Sequence, residues 1–77
     1  MLKALARAIR AYSTAGREAN ILAALRGRTL SGAQLYVETG LSLGTLYPAL
    51  ARMERDGKVR SWWTSGTPRR RLYAEND

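Results

Sequence analysis

The sequence predicts an α+β fold, mostly helical, in which a helix-turn-helix is preceded by an extra N-terminal amphipathic helix and followed by a C-terminal β-hairpin. Three observations predict it. Apolar residues recur at three- and four-residue intervals through most of the chain, the period of helices packed on one side. Gly40-Leu41-Ser42 then separates two such stretches with a turn-forming glycine and a capping serine. After Asp56-Gly57 the pattern changes to two strand-like segments, 58–63 and 69–74, around Thr64-Ser65-Gly66-Thr67-Pro68. A chain of 77 residues has room for one domain, 1–77, with a small core.

In the first stretch Leu2, Leu5, Ala6 and Ile9 share a helical face, with Lys3, Arg7 and Arg10 opposite. This predicts a helix over 1–13, ended by Ser13, Thr14 and Gly16. The second stretch gathers Ile21, Leu22 and Leu25 and stops at Gly27, a residue suited to the left-handed position that closes a helix. Arg28-Thr29-Leu30 is left as a short extended connector. Ser31-Gly32-Ala33-Gln34 has the spacing of a capping box, in which the Ser31 hydroxyl accepts from the Gln34 amide and the Gln34 side chain accepts from the Ser31 amide. A third helix therefore starts near Gly32 and ends near Thr39.

Ser42 is placed to cap the fourth helix, where Leu43, Leu46, Leu50 and Met53 recur toward a core. Gly44, Thr45, Pro48, Ala49 and Arg52 then face outward, and Tyr47 falls on the boundary. Pro48 is discordant. With Ser42 as cap it occupies the sixth helical position, where its ring opposes the Gly44 carbonyl and removes one hydrogen bond; with Thr45 as cap it would sit in the first turn at little cost. The helix-turn-helix spans 31–56 and the hairpin over 58–74 supplies a wing, so the architecture is a winged helix-turn-helix.

Thirteen Lys plus Arg against six Asp plus Glu give a formal charge of +7, which suits a polyanionic partner as well as solubility. With no cysteine and no histidine, disulfides, thiol chemistry and the usual zinc and haem sites are excluded, and a cytosolic setting is expected. The six acids lack paired-carboxylate or metal-ligand spacing, so no enzyme, no metal and no cofactor are expected. Nor is any segment long and apolar enough to span a bilayer.

Ser42-Leu43-Gly44-Thr45-Leu46-Tyr47-Pro48-Ala49-Leu50, with Arg52-Met53-Glu54, Asp56-Gly57 and Val59 after it, closely resembles the recognition-helix segment of PadR-like transcriptional regulators. Pro68-Arg69-Arg70-Arg71-Leu72-Tyr73 resembles the basic, tyrosine-containing return strand of the same family's wing. The resemblance is specific over 42–73 and weak over 21–41. It implies a dimeric repressor, bacterial or phage-encoded and nucleoid-associated in the cytoplasm, whose recognition helices enter successive major grooves of double-stranded DNA. Such regulators usually carry C-terminal helices that build the dimer, and this sequence runs only a few residues past the wing. Dimerisation is therefore expected of the first helix, through Leu2, Leu5, Ala6, Ile9 and Tyr12, at a half-site spacing of about 34 Å. That stripe equally suits packing on its own domain, and its lack of acids matches an organellar targeting segment.

The expected DNA contacts fall on two elements. Thr45, Tyr47 and the exposed backbone at Gly44 are placed to reach base edges, Pro48 faces outward beside them as a further DNA-binding residue, and Ser42 serves as a cap, a phosphate ligand at the helix N-terminus, or both. Tyr47 has the alternative of half-buried packing. Arg69, Arg70 and Arg71 follow the wing loop, with Arg69 and Arg71 expected on one strand face and Arg70 on the other, toward phosphate or the minor groove. Arg52, Arg55, Lys58 and Arg60 broaden this patch, while Glu54 and Asp56 interrupt it and are placed to orient arginines. Trp62 and Trp63 point to opposite faces, one toward the helices and the other exposed. The competing readings are a DNA-architectural or excision accessory protein, a winged helix that binds a protein partner, and a membrane-surface domain held by the basic first helix.

Overall fold

A computed structural model describes residues 13–76. It contains α1 (Thr14–Leu25), β1 (Thr29–Ser31), α2 (Gly32–Thr39), α3 (Leu43–Arg55), β2 (Val59–Trp63) and β3 (Arg71–Glu75). The three strands form one antiparallel sheet in the order β1-β3-β2. The architecture is an α+β winged helix. The helix expected over 1–13, with Leu2, Leu5, Ala6, Ile9 and Tyr12, lies outside the described residues.

Ser13 begins an element. Its hydroxyl accepts from the Gly16 amide at 3.0 Å, which makes it the N-cap of α1 and draws Thr14 and Gly16 into that helix. Serine, threonine and glycine punctuate both ends of helices, so composition alone did not set the direction. At the other end Gly27 adopts φ +68° just after the cap residue Arg26, as its position predicts.

Residues read as a connector form β1, which pairs with β3 in the register Leu30↔Tyr73. Both of these side chains are buried, so the strand closes one edge of the core. Ser31 then ends β1 and caps α2 in a complete capping box, accepting from the Gln34 amide at 3.2 Å while its own amide donates to Gln34 Oε1 at 2.8 Å. Gly40 closes α2 at φ +70°. Thr39 stiffens the turn, its hydroxyl donating to the Leu35 carbonyl at 2.7 Å and accepting from the Leu41 amide at 3.2 Å. The Asn20 side chain donates to the Thr39 carbonyl at 2.9 Å and ties α1 to that turn.

The helix α3 starts at Leu43 after the N-cap Ser42, so Pro48 lies inside it. Its buried face is Leu46, Ala49, Leu50 and Met53. Two expectations are corrected here: Leu43 is 50% exposed and Ala49 is fully buried. The first helical residue lies beyond the end of the core, whereas Ala49 sits one position from Leu50 and three from Leu46, within the width of the buried stripe. Ile21 and Leu25 of α1, Leu35 of α2 and Val59 of β2 complete the core around these residues. Burying each such large aliphatic side chain contributes roughly 1.5–3 kcal/mol.

Gly57, at φ +78°, turns the chain from α3 into the hairpin. The strands β2 and β3 pair from Val59↔Glu75 to Trp63↔Arg71. Beyond them the Thr64 amide donates to the Arg70 carbonyl at 2.8 Å, and the Arg70 amide donates to Thr64 Oγ1 at 2.9 Å. The return strand thus starts at Arg71 rather than Arg69, and Arg69 and Arg70 belong to the base of the loop.

Candidate nucleic-acid interface

At the N-terminus of α3 the Ser42 side chain makes no capping bond; its hydroxyl instead donates to Thr45 Oγ1 at 3.1 Å. The first-turn amides are left without a side-chain acceptor, at the positive end of the helix dipole. Gly44 is exposed, with no atom within 4 Å of where a side chain would begin. Pro48 is also exposed and Thr45 is half-buried. Tyr47 is 46% exposed and reaches back across α2, its hydroxyl lying so close over Gly32 that a side chain there would collide with it.

Between the start of α2, Tyr47 and the hairpin lies an open groove of about 720 Å³. Its hairpin wall is Trp63, Arg69, Arg70, Arg71 and Tyr73. Strand alternation puts Val59, Ser61 and Trp63 on the helix side of β2 and Arg60 and Trp62 on the other. The tryptophans do part to opposite faces as their adjacency predicts. The exposed one, Trp63, is however on the helix side, at the loop end of the hairpin, and Trp62 is the partly buried one.

The three arginines have different surroundings. Arg71 is drawn into a network with α3 and β2. Its Nη2 donates to Glu54 Oε2 at 3.2 Å and to Ser61 Oγ at 2.8 Å, and its Nε donates to the same Ser61 oxygen at 3.0 Å. The Ser61 hydroxyl donates onward to Glu54 Oε1. Glu54 thereby orients Arg71, as its place in the basic patch predicted, and joins the last turn of α3 to both hairpin strands. The Arg71 and Arg69 guanidinium groups lie 5.6 and 5.5 Å from the Trp63 ring centre, within cation–π range. Arg69 and Arg70 have no carboxylate partner among the described residues.

Arg52 and Lys58 gather elsewhere, on Glu18 of α1. Lys58 Nζ donates to Glu18 Oε1 at 2.8 Å, and that bond and charge hold its pKa above the usual 10.5. Arg52 Nε is 3.9 Å from Glu18 Oε2 and buried, with no hydrogen-bond partner among the described residues. In the groove wall, burial raises the Tyr73 phenol above 10.0 and keeps it neutral. The structure therefore brings Tyr47, Arg69, Arg70 and Arg71 together, sets Ser42, Gly44, Thr45 and Pro48 along the start of α3, and leaves Arg52 and Lys58 outside the groove lining.

Sequence reasoning missed Gly32 and Trp63 as parts of this surface. Gly32 reads as an ordinary helix start, and no local signal announces the ring that covers it from α3. For Trp63, the pair of adjacent tryptophans shows that one is exposed without showing which.

Among the described residues no helix is long and apolar enough to cross a membrane, and no cluster of acidic, histidine or cysteine side chains could hold a metal ion. The model of the transcriptional regulator PadR-like family matches residues 21–77. A solved structure of a transcriptional regulator from Clostridium thermocellum is similar over 90% of this chain and 72% of its own, at 27% identity and a TM-score of 0.70. No curated protein matches.

Proposed function

Because the chain belongs to the PadR-like family of transcriptional regulators, and so is a DNA-binding regulator of transcription rather than an enzyme, we propose that it is a sequence-specific repressor acting as a homodimer. Its α3 lies in the major groove, and its hairpin contacts the backbone or minor groove beside it. One observation carries this reading: Tyr47 of α3 borders a single groove with Arg69 and Arg70, which have no carboxylate partner among the described residues, and the exposed Ser42, Gly44 and Pro48 lie on the same helix end as Tyr47. Thr45, Tyr47 and Pro48 meet base edges across the open backbone of Gly44, and Ser42 with the first-turn amides holds a phosphate. Arg69 and Arg70 neutralise phosphates, Arg71 holds the hairpin in place, and Arg52 and Lys58 add to the field around the site. Action on DNA implies a cytoplasmic, nucleoid-associated protein.

Selection of bound duplexes from a random library is the decisive experiment. A recurrent, two-fold related motif is expected, and equal binding to random and selected duplexes would replace the regulator with an architectural DNA binder. Within a recovered site, Thr45→Ala or Tyr47→Phe should relax preference at one base pair by about 1–3 kcal/mol, whereas Arg70→Ala should weaken every duplex alike. The apolar stripe of the N-terminal segment supplies the proposed pairing surface. Leu5→Glu with Ile9→Glu should then sediment as a folded monomer, and an unchanged mass would remove that segment from the role.

A further inference from the structure

Trp63 is an exposed aromatic of the groove that the contacts above leave unused. It is 53% exposed at the loop end of β2, whose other helix-side residues are the buried Val59 and the half-buried Ser61. Its ring is held by Arg69 and Arg71 at 5.5 and 5.6 Å, and it shares the groove with Tyr47, itself 46% exposed. The groove thus has aromatic walls and a rim whose free charges are positive, since the one nearby carboxylate, Glu54, is engaged by Arg71 and Ser61. Apolar surface flanked by cations is complementary to a nucleic-acid strand, whose sugars are apolar and whose phosphates are anionic.

We propose that this groove seats one sugar–phosphate strand of duplex DNA and that Trp63 packs its ring on a deoxyribose of that strand. The inference rests on the DNA-binding reading above and deepens it. A duplex keeps its base faces stacked inside, so an aromatic standing between recognition helix and wing meets sugar and not the face of a base. Arg69 and Arg70 then lie on the flanking phosphates, and Tyr47 closes the groove from the major-groove side. Trp63 is in this account a sequence-independent contact that sets how deeply the wing seats.

The chain has two tryptophans, so Trp62→Phe leaves Trp63 as the sole tryptophan, excited apart from the tyrosines at the red edge of the absorption band. Titration with a labelled duplex from the selection reads both claims at once. A rise in label anisotropy with a change in Trp63 emission at the same midpoint is expected, and the reciprocal Trp63→Phe protein should bind with its Trp62 emission unchanged. Trp63→Ala should weaken all duplexes about tenfold while leaving the salt dependence of binding as it was, because an apolar contact and no ion pair is lost. Binding with unchanged Trp63 emission would overturn the inference and leave the DNA-binding function standing. So would a salt slope reduced by about 0.9, the mark of a ring that only holds Arg69 on a phosphate. Absence of any anisotropy change would remove the function itself and the inference with it.

Discussion

Gly32 is constrained by a residue fifteen positions away. The Tyr47 hydroxyl covers it, and because that hydroxyl is the far end of an exposed side chain, an added methyl displaces the ring rather than the backbone. Gly32→Ala is therefore expected to change unfolding free energy by no more than about 1 kcal/mol, the loss of fit being offset by better helix propensity. It should nevertheless weaken DNA binding, since Tyr47 is moved. Paired urea titration and duplex anisotropy check this, and a large stability loss with intact binding would contradict it. Tyr73 and Lys58 make a second residue-scale prediction. Burial raises the Tyr73 pKa above 10.0, and the bond to Glu18 raises that of Lys58 above 10.5. Both folded-state values exceed the unfolded ones, so the folded chain binds more protons at alkaline pH. Their contribution is complete below the unfolded values and is lost as pH rises through the folded values. With no histidine in the sequence, the urea midpoint should stay level from about pH 6 to 9 and fall above about pH 10. A midpoint that climbs above pH 10 would reverse the assignment.

Among the elements, α3 carries an internal conflict. Pro48 lies at its sixth position, exposed, without an amide to donate to the Gly44 carbonyl. Pro48→Ala should restore that bond and stabilise the fold by roughly 1–3 kcal/mol in urea unfolding. If binding to the selected duplex falls at the same time, the proline is kept for the shape of the helix at the DNA; unchanged stability would mean that Gly44 already relieves the conflict. The elements also show why some of the fold was legible in the sequence and some was not. The Ser31–Gln34 capping box and the stops at Gly27, Gly40 and Gly57 depend on neighbours within a few residues, so their spacing sufficed. The strand β1 is three residues whose partner lies more than forty positions on, at Leu72 to Ala74. No alternation can be read from three residues. The exposure of Leu43 and burial of Ala49 depend on where the core ends, which the helical period does not contain. In the interface, Tyr47 and the arginines were legible as residue types at the right places, but the Glu18–Lys58 pair and the covering of Gly32 arise only from packing.

At the scale of the whole molecule, a formal charge of +7 does not say which cations are available to DNA. The folded chain sorts them. Glu18 holds Lys58 and stands beside Arg52, Glu38 holds Arg28 and Glu54 holds Arg71, while Arg69 and Arg70 are the groove cations among those left without a carboxylate partner in the described residues. Partly exposed pairs of this kind are each worth up to about 1 kcal/mol in stability, so their larger effect is on where the free charge sits. Each phosphate neutralised on binding contributes about 0.9 to the slope of log affinity against log salt. Arg69→Ala with Arg70→Ala should accordingly lower that slope by about 1.8 per chain bound, with little change in unfolding free energy. Arg71→Gln, which keeps donors toward Glu54 and Ser61, should leave the slope unchanged and lower stability slightly, because its guanidinium is spent inside the protein. Equal slope losses in the two proteins would return Arg71 to the DNA contacts and reduce the Glu54–Ser61–Arg71 network to a resting arrangement of the free protein.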